Sequence, residues 1–213
     1  MTAIAWVFAA VFGAAAGANW WSRWTGHRPT ELWSKPLALG ALIGVAATLD
    51  PLDPAVRAWF VVALVGSLAG DVLLLDGDRR FVPGLVAFLL AHVAYTVGLV
   101  VAPDWSWVGF AIGAAAAVAL AATVGVRIVR AARRAKPVLG PAVSAYLVAI
   151  STMFCAAVAT GHPWAIAGAG LFVASDSVLG WRQFVGSAPW MPVTVMVTYH
   201  LGQAGLVASL VWG

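Results

Sequence analysis

Eight apolar runs follow one another along this chain, and the short connections between them hold most of its charge. They extend approximately over Ala3–Ala18, Pro36–Leu49, Val56–Leu75, Phe81–Ala102, Trp105–Val126, Val138–Ala159, Trp164–Gly180 and Trp190–Trp212, the second being short. A helix of about 20 apolar residues crosses a bilayer. Of the 213 residues, 62% are hydrophobic and 9% charged, against about 25% charged in a soluble domain. The expected fold class is all-α: a polytopic membrane helix bundle with eight transmembrane helices, forming a single integral membrane domain over residues 1–213. The recurrent Ala, Gly and Ser suit close helix packing in lipid. Trp20, Trp21, Trp105, Trp107, Trp164, Trp181, Trp190 and Trp212 fall near expected span ends, where an aromatic belt forms. The first run lacks a preceding basic segment and reads as a retained helix, not a signal peptide. Cys155, the one cysteine, lies in a span and carries no redox reading.

Charge sets the expected orientation. Arg23, Arg28 and Lys35 lie in the first connection and Arg79 and Arg80 in the third. Arg127, Arg130, Arg133, Arg134 and Lys136 lie in the fifth and Arg182 in the seventh, leaving only Arg57 of the 12 Lys and Arg to the even connections. By the positive-inside rule the odd connections face the cytoplasm, so a multi-pass protein of the inner (plasma) membrane with both termini extracytoplasmic is expected. The net charge of +4 is then a topology signal. The partners it implies are membrane lipids, with the fifth connection near anionic headgroups. No nucleic-acid partner is expected, since no soluble domain displays the charge.

Two of the eight acidic residues, Asp71 and Asp176, fall inside apolar runs. A carboxylate at bilayer depth costs about 2.5–3.5 kcal/mol on insertion scales and is usually kept for function. Each lies four residues before its expected cytoplasmic span end, roughly 6 Å deep, while His92 and Tyr199 enter from the same side to roughly 15 Å. A cavity opening to the cytoplasm or inner leaflet is expected. His92 and Tyr95 share one helix face, and Tyr199 and Gln203 another. His200 projects about 100° from Tyr199, so one of these two is expected to face the site. Lys35-Pro36 reads as the start of the second span, with Lys35 either snorkelling, paired with an aspartate or meeting a lipid phosphate. Tyr146, Ser144 and Ser151 are further hydrogen-bonding candidates. The small-small-Asp strings Leu68–Asp71 and Val173–Asp176 suggest a weak four-plus-four parallel internal repeat.

No cofactor is implied. His92, His200 and the two aspartates are the sole intramembrane metal candidates, and without a ligand-spacing motif no metal is expected. No nucleophile elbow, P-loop or dinucleotide fingerprint is present. A protonated carboxyl beside an ionised one suits general acid–base work, whereas intramembrane acids also mark proton-coupled transporters or lipid-binding membrane proteins. A zinc-dependent lipid amide hydrolase would need more convergent histidines.

Several strings, taken in order, resemble the YhhN family. They are Ser34-Lys35-Pro36-Leu37, Gly70-Asp71-Val72-Leu73-Leu74, His92-Val93-Ala94-Tyr95, Tyr146 with Met153, the run from Gly168 to Asp176, and Tyr199-His200-Leu201-Gly202-Gln203. The resemblance covers nearly the whole chain, and the family's animal members are known as lysoplasmalogenases. It implies an ether-bond hydrolase that cleaves the vinyl ether of lysoplasmalogens, with a lysophospholipid substrate. The family's paired aspartates fall on Asp71 and Asp176, which become the expected catalytic acid and base, in either order. Lys35, His92, Tyr95, Tyr146, Tyr199, His200 and Gln203 become the expected substrate-binding residues. Oligomeric state is not legible in the chain.

Overall fold

The computed structural model describes residues 2–211, so Trp212 of the expected aromatic belt lies outside the described residues. These residues are all-helical, with no strand among them. The helices are α1 (Ala3–Thr25), α2 (Arg28–Thr48), α3 (Pro54–Leu74), α4 (Phe81–Val100), α5 (Trp107–Ala135), α6 (Leu139–Ala159), α7 (Pro163–Phe184) and α8 (Met191–Ala208). A short 3₁₀ turn, Gly77–Arg80, leads into α4, and a π turn, Ala121–Gly125, interrupts α5.

The helix starts follow local chemistry. Thr2, Asp53 and Ser106 cap α1, α3 and α5 by accepting first-turn amides; Asp53 takes Ala55 N at 2.7 Å and Val56 N at 3.2 Å. Proline occupies the first turn of α2, α3, α7 and α8, where its missing N–H is not needed. One expectation is corrected by this. Lys35-Pro36 does not begin the second helix; α2 begins at Arg28 with Pro29 in its first turn, and Pro36 is interior. Lys35 therefore sits about 10 Å into the helix instead of at its mouth. The basic cluster of the fifth connection is likewise mostly helical, since α5 runs on to Ala135.

Six helices, α1 and α3 to α7, are long and apolar enough to cross a membrane. The other two, α2 and α8, carry Lys35, Tyr199, His200 and Gln203, and all four side chains are buried. Their polar groups face the protein, which is why the helices read as less apolar. The closest helix pairs are α1 with α2, α3 with α4 and α7 with α8; α8 also touches α1, α2 and α3, while α6 joins α4, α5 and α7. The core between them is built on Phe60, Leu64, Tyr95, Met153, Phe172 and Leu206. Trp21, Trp107, Trp164 and Trp190 are exposed as a belt requires, but Trp20 turns inward and its Nε1 donates to Met196 O at 3.3 Å and His200 Nδ1 at 3.0 Å.

The α7–α8 contact is made backbone to backbone. A Cβ on Gly168 would lie 2.6 Å from Leu206 N, one on Gly202 2.9 Å from Phe172 N, and one on Gly205 2.9 Å from Gly168 Cα. Ser175 Oγ donates across the same seam to Val195 O at 3.0 Å. Small residues allow this approach in lipid, where packing and interhelical hydrogen bonds drive association. Gly168→Val is expected to force the two helices apart and to lower stability by about 1–3 kcal/mol, the usual range for overpacking. The readout is the thermal unfolding midpoint in detergent, and an unchanged midpoint would refute the contact.

Candidate active site

Asp71 on α3 and Asp176 on α7 line one polar cavity of about 460 Å³, together with Lys35 from α2 and Tyr199 from α8. The cavity lies at the end of the bundle where the α1–α2 turn, the α3–α4 connection and the end of α7 meet. The two carboxyls do not share one distance from their helix ends. Asp71 lies three residues before the end of α3 and Asp176 eight before the end of α7. The difference arises because α7 continues through Trp181–Phe184, whereas α3 stops before Gly77, which takes a positive φ.

Their surroundings differ. Asp71 is buried, and its Oδ1 is 3.1 Å from Lys35 Nζ. The Tyr199 hydroxyl donates to its Oδ2 at 2.9 Å. Asp71 is thus held by one cation and one neutral donor, from helices 36 and 128 residues away in sequence. Asp176 is partly exposed and accepts from the Tyr146 hydroxyl of α6 at Oδ2. The buried ring of His92 on α4 stands close by, with its Nε2 3.8 Å from the same oxygen. His92 is held edge-on between Tyr146 and Phe172, with ring centroids at 5.2 and 4.8 Å.

A second cavity of about 490 Å³ adjoins the first and is almost wholly apolar. Its walls come from α4, α5, α6 and α7 with Leu74 at the end of α3, and the π turn of α5 contributes Ala121, Val124 and Gly125. Leu74, Phe81, Phe88, Asp176, Leu179 and Gln183 line both cavities. Asp176 is the one ionisable residue at that seam, and Tyr146, its donor, lies on the apolar side.

The remaining expected residues are placed in a deeper layer. The Tyr95 hydroxyl donates to Gln203 Oε1 one helical turn beyond Tyr199, and neither residue lines either cavity. Of the adjacent pair on α8, Tyr199 faces the cavity, while His200 turns to α1 and accepts from Trp20. Ser144 bonds back to Gly140 O at 2.9 Å, and Ser151 lies in the apolar wall. Among the described residues no three His, Cys, Asp or Glu side chains converge as metal ligands. Sequence reasoning missed Arg23, Arg28, Glu31 and Arg182, all at the mouth of the polar cavity. The signal was available: they sit at the same end as both aspartates, and Glu31 is the acid of the first connection.

With this geometry in place, the comparisons with known proteins decide the family. The YhhN family matches residues 30–210. The chain belongs to the YhhN family. Lysoplasmalogenases of Mycobacterium bovis and Mycobacterium tuberculosis are each 32% identical to it over 202 residues, covering 90% of this chain and 74% of the relative. No solved structure matches it. The matched region holds Lys35, both aspartates, His92, Tyr146 and Tyr199, but not Arg23 or Arg28.

The Lys35–Asp71 pair yields a stability prediction. Removing one partner of a buried ion pair leaves the other charge uncompensated and costs about 3–5 kcal/mol, while replacing both is often close to neutral. Lys35→Met is expected to lower the unfolding midpoint in detergent, and Lys35→Met with Asp71→Leu to restore most of the loss. A double variant as unstable as the single one would show that the pair does not balance charge.

Proposed function

We propose that this chain hydrolyses the vinyl-ether bond of lysoplasmalogens, releasing a fatty aldehyde and glycerophosphoethanolamine or glycerophosphocholine. The observation that carries the reading is the position of Asp176, at the seam of a polar and an apolar cavity. A lysoplasmalogen has its vinyl ether at the equivalent boundary, between a hydrocarbon chain and a glycerophosphate. With the chain in the apolar cavity and the headgroup in the polar one, the reactive carbons meet Asp176. The similarity to two lysoplasmalogenases supports the same substrate class.

The two carboxyls take different parts. Asp71 faces an ammonium and a hydroxyl donor, a setting that suits a carboxylate. Asp176 accepts from the Tyr146 hydroxyl and borders an apolar cavity, a setting that suits a carboxylic acid. Asp176 gives its proton to the β-carbon of the vinyl ether, and the double bond's electron pair forms the new C–H bond. The resulting oxocarbenium ion sits beside two carboxylates. Water from the polar cavity adds to the cationic carbon and releases a proton to Asp71. The hemiacetal then collapses to aldehyde: its C–O bond to glycerol breaks, its hydroxyl proton ends on the glycerol oxygen, and the proton on Asp71 returns to Asp176. The net change is one water consumed, and no metal or redox partner enters. Tyr146, His92 and Tyr199 hold the carboxyls in place; Tyr95, Gln203 and His200 support Tyr199 and α8 from behind.

The same reading includes eight membrane-spanning helices, with α2 and α8 crossing behind the shelter of their neighbours. The arginine-rich end faces the cytoplasm and both termini face outward. Each half then consists of two antiparallel hairpins, α1–α2 with α3–α4 and α5–α6 with α7–α8, as a parallel repeat requires.

Purified protein incubated with lysoplasmalogen is expected to release fatty aldehyde, and chelator is expected to leave the rate unchanged. Asp71→Asn and Asp176→Asn are each expected to lose about 10²–10⁴ in rate, the usual worth of a positioned acid or base. Wild type that releases no aldehyde would sink the substrate. Full activity in either variant would sink the mechanism.

A further inference from the structure

The mouth of the polar cavity holds a charge cluster that the acid–base chemistry does not use. Arg23 comes from the last turn of α1, Arg28 and Glu31 from the first turn of α2, and Arg182 from the last turn of α7. Glu31 carries two guanidinium groups. Its Oε1 lies 2.6 Å from Arg23 Nη1 and its Oε2 lies 3.1 Å from Arg28 Nη1. Arg28 also donates to the carbonyl of Leu75. Arg182 lies near enough to Arg23 and Glu31 for their charges to act on it, and it is only partly exposed. Of the other described acids that line this cavity, Asp71 is engaged with Lys35, Asp76 with Arg80 at 2.8 Å, and Asp176 with the Tyr146 hydroxyl.

Among the described residues at the mouth, the three guanidinium groups of Arg23, Arg28 and Arg182 therefore gather around the Glu31 carboxylate. Like charges gathered at a cavity mouth repel one another unless an anion joins them. Arginine forks suit phosphate oxygens, which they bind with two parallel hydrogen bonds. Lys35, which the sequence also offers to a phosphate, is buried against Asp71.

We infer that Arg182, with Arg23 and Arg28 anchored by Glu31, forms a seat for the phosphate of a single-chain lipid headgroup in the mouth of the polar cavity. The inference rests on the substrate class proposed above and names the group that selects it. The seat holds the glycerophosphate at the arginine-rich end, so that the first carbons of the chain lie beside Asp176. Glu31 acts through the arginines as a positioning residue, keeping Arg23 and Arg28 turned towards the cavity.

The test is a binding measurement that needs no turnover. The purified protein in lipid-free detergent is titrated with two non-cleavable ligands of equal chain length, an alkyl lysophosphoethanolamine and an alkylglycerol that lacks phosphate. Wild type is expected to bind the phosphate-bearing ligand about 10- to 100-fold more tightly, as hydrogen bonds to charged groups allow. Arg182→Gln is expected to lose most of that preference while binding alkylglycerol like wild type, which also shows that it is folded. Arg182→Lys should keep part of the preference. Glycerophosphoethanolamine should displace the lipid better than inorganic phosphate does. A wild type without preference, or an Arg182→Gln variant that keeps it, would overturn the seat. Equal displacement by inorganic phosphate would make it a free-anion site and overturn the headgroup assignment. Aldehyde release is scored separately, so a protein that shows the preference but cleaves nothing refutes the hydrolase and leaves the seat standing.

Discussion

A carboxylate buried among membrane helices must find its counter-charge inside the protein, and at Asp71 that charge is Lys35. The 3.1 Å contact joins α2 to α3, and the Tyr199 hydroxyl brings in α8. Both ionised groups are almost fully covered by protein. Such a pair is weak evidence of net stability, because desolvation offsets much of the attraction. It is strong evidence of placement, because neither charge can turn away to lipid. The polar face of α8 follows from this. Tyr199 must reach Asp71, so the helix that carries it has to stand in the middle of the bundle. From that position His200 and Gln203 also find protein partners, Trp20 and Tyr95.

The second half of the site depends on a different force. Among the described residues no Lys or Arg pairs with Asp176 as Lys35 does with Asp71, and its position follows from the packing of α7. Gly168, Gly202 and Gly205 bring the backbones of α7 and α8 into contact, and the Ser175 hydroxyl ties α7 to the Val195 carbonyl one residue before Asp176. Van der Waals contact and one interhelical hydrogen bond set this register, as is usual where solvent exclusion cannot drive helices together. The register sets Ser175 against the helix of Tyr199 and presents Asp176 to Tyr146 on α6. Two aspartates in similar apolar strings thus end in unlike surroundings, one neutralised by charge and one bordered by hydrocarbon.

The division between what the sequence reveals and what it hides has physical causes. The apolar runs are legible because bilayer thickness demands length, and length survives without any knowledge of neighbours. Asp71 and Asp176 are legible because acids are rare in such runs. The start of α2 is not legible at Lys35-Pro36: a proline there mimics a first-turn residue, while Pro29 takes that role in the structure. The face of α8 is ambiguous, since Tyr199 and His200 are adjacent and only contacts decide which enters the cavity. The π turn Ala121–Gly125 has no signature in five small and β-branched residues, yet it shapes the apolar wall. Arg23, Arg28 and Arg182 hide behind a stronger signal, because the topological bias they satisfy explains them without any cavity.

The cavities also bear on whether such a site works by passage or by reaction. A third cavity of about 140 Å³ lies at the opposite end, against Asp53, Asp104 and His162. It shares no lining residue with the polar cavity. Between the two ends stand Tyr95, Phe172 and Leu206, all fully buried, with Tyr95 edge to face at 5.0 Å against Phe60 in the wall of the third cavity. Beyond Tyr199 the polar groups of this layer close on one another in the Tyr95–Gln203 pair, which lines none of the three cavities. The openings that do connect run sideways, from the polar cavity into the apolar one, and Asp176 stands where they join. That carboxyl borders the polar cavity on one side and the apolar one on the other. A conduit needs an exit at the far end. Hydrolysis of a lipid needs both phases at one atom, and this is the arrangement around Asp176.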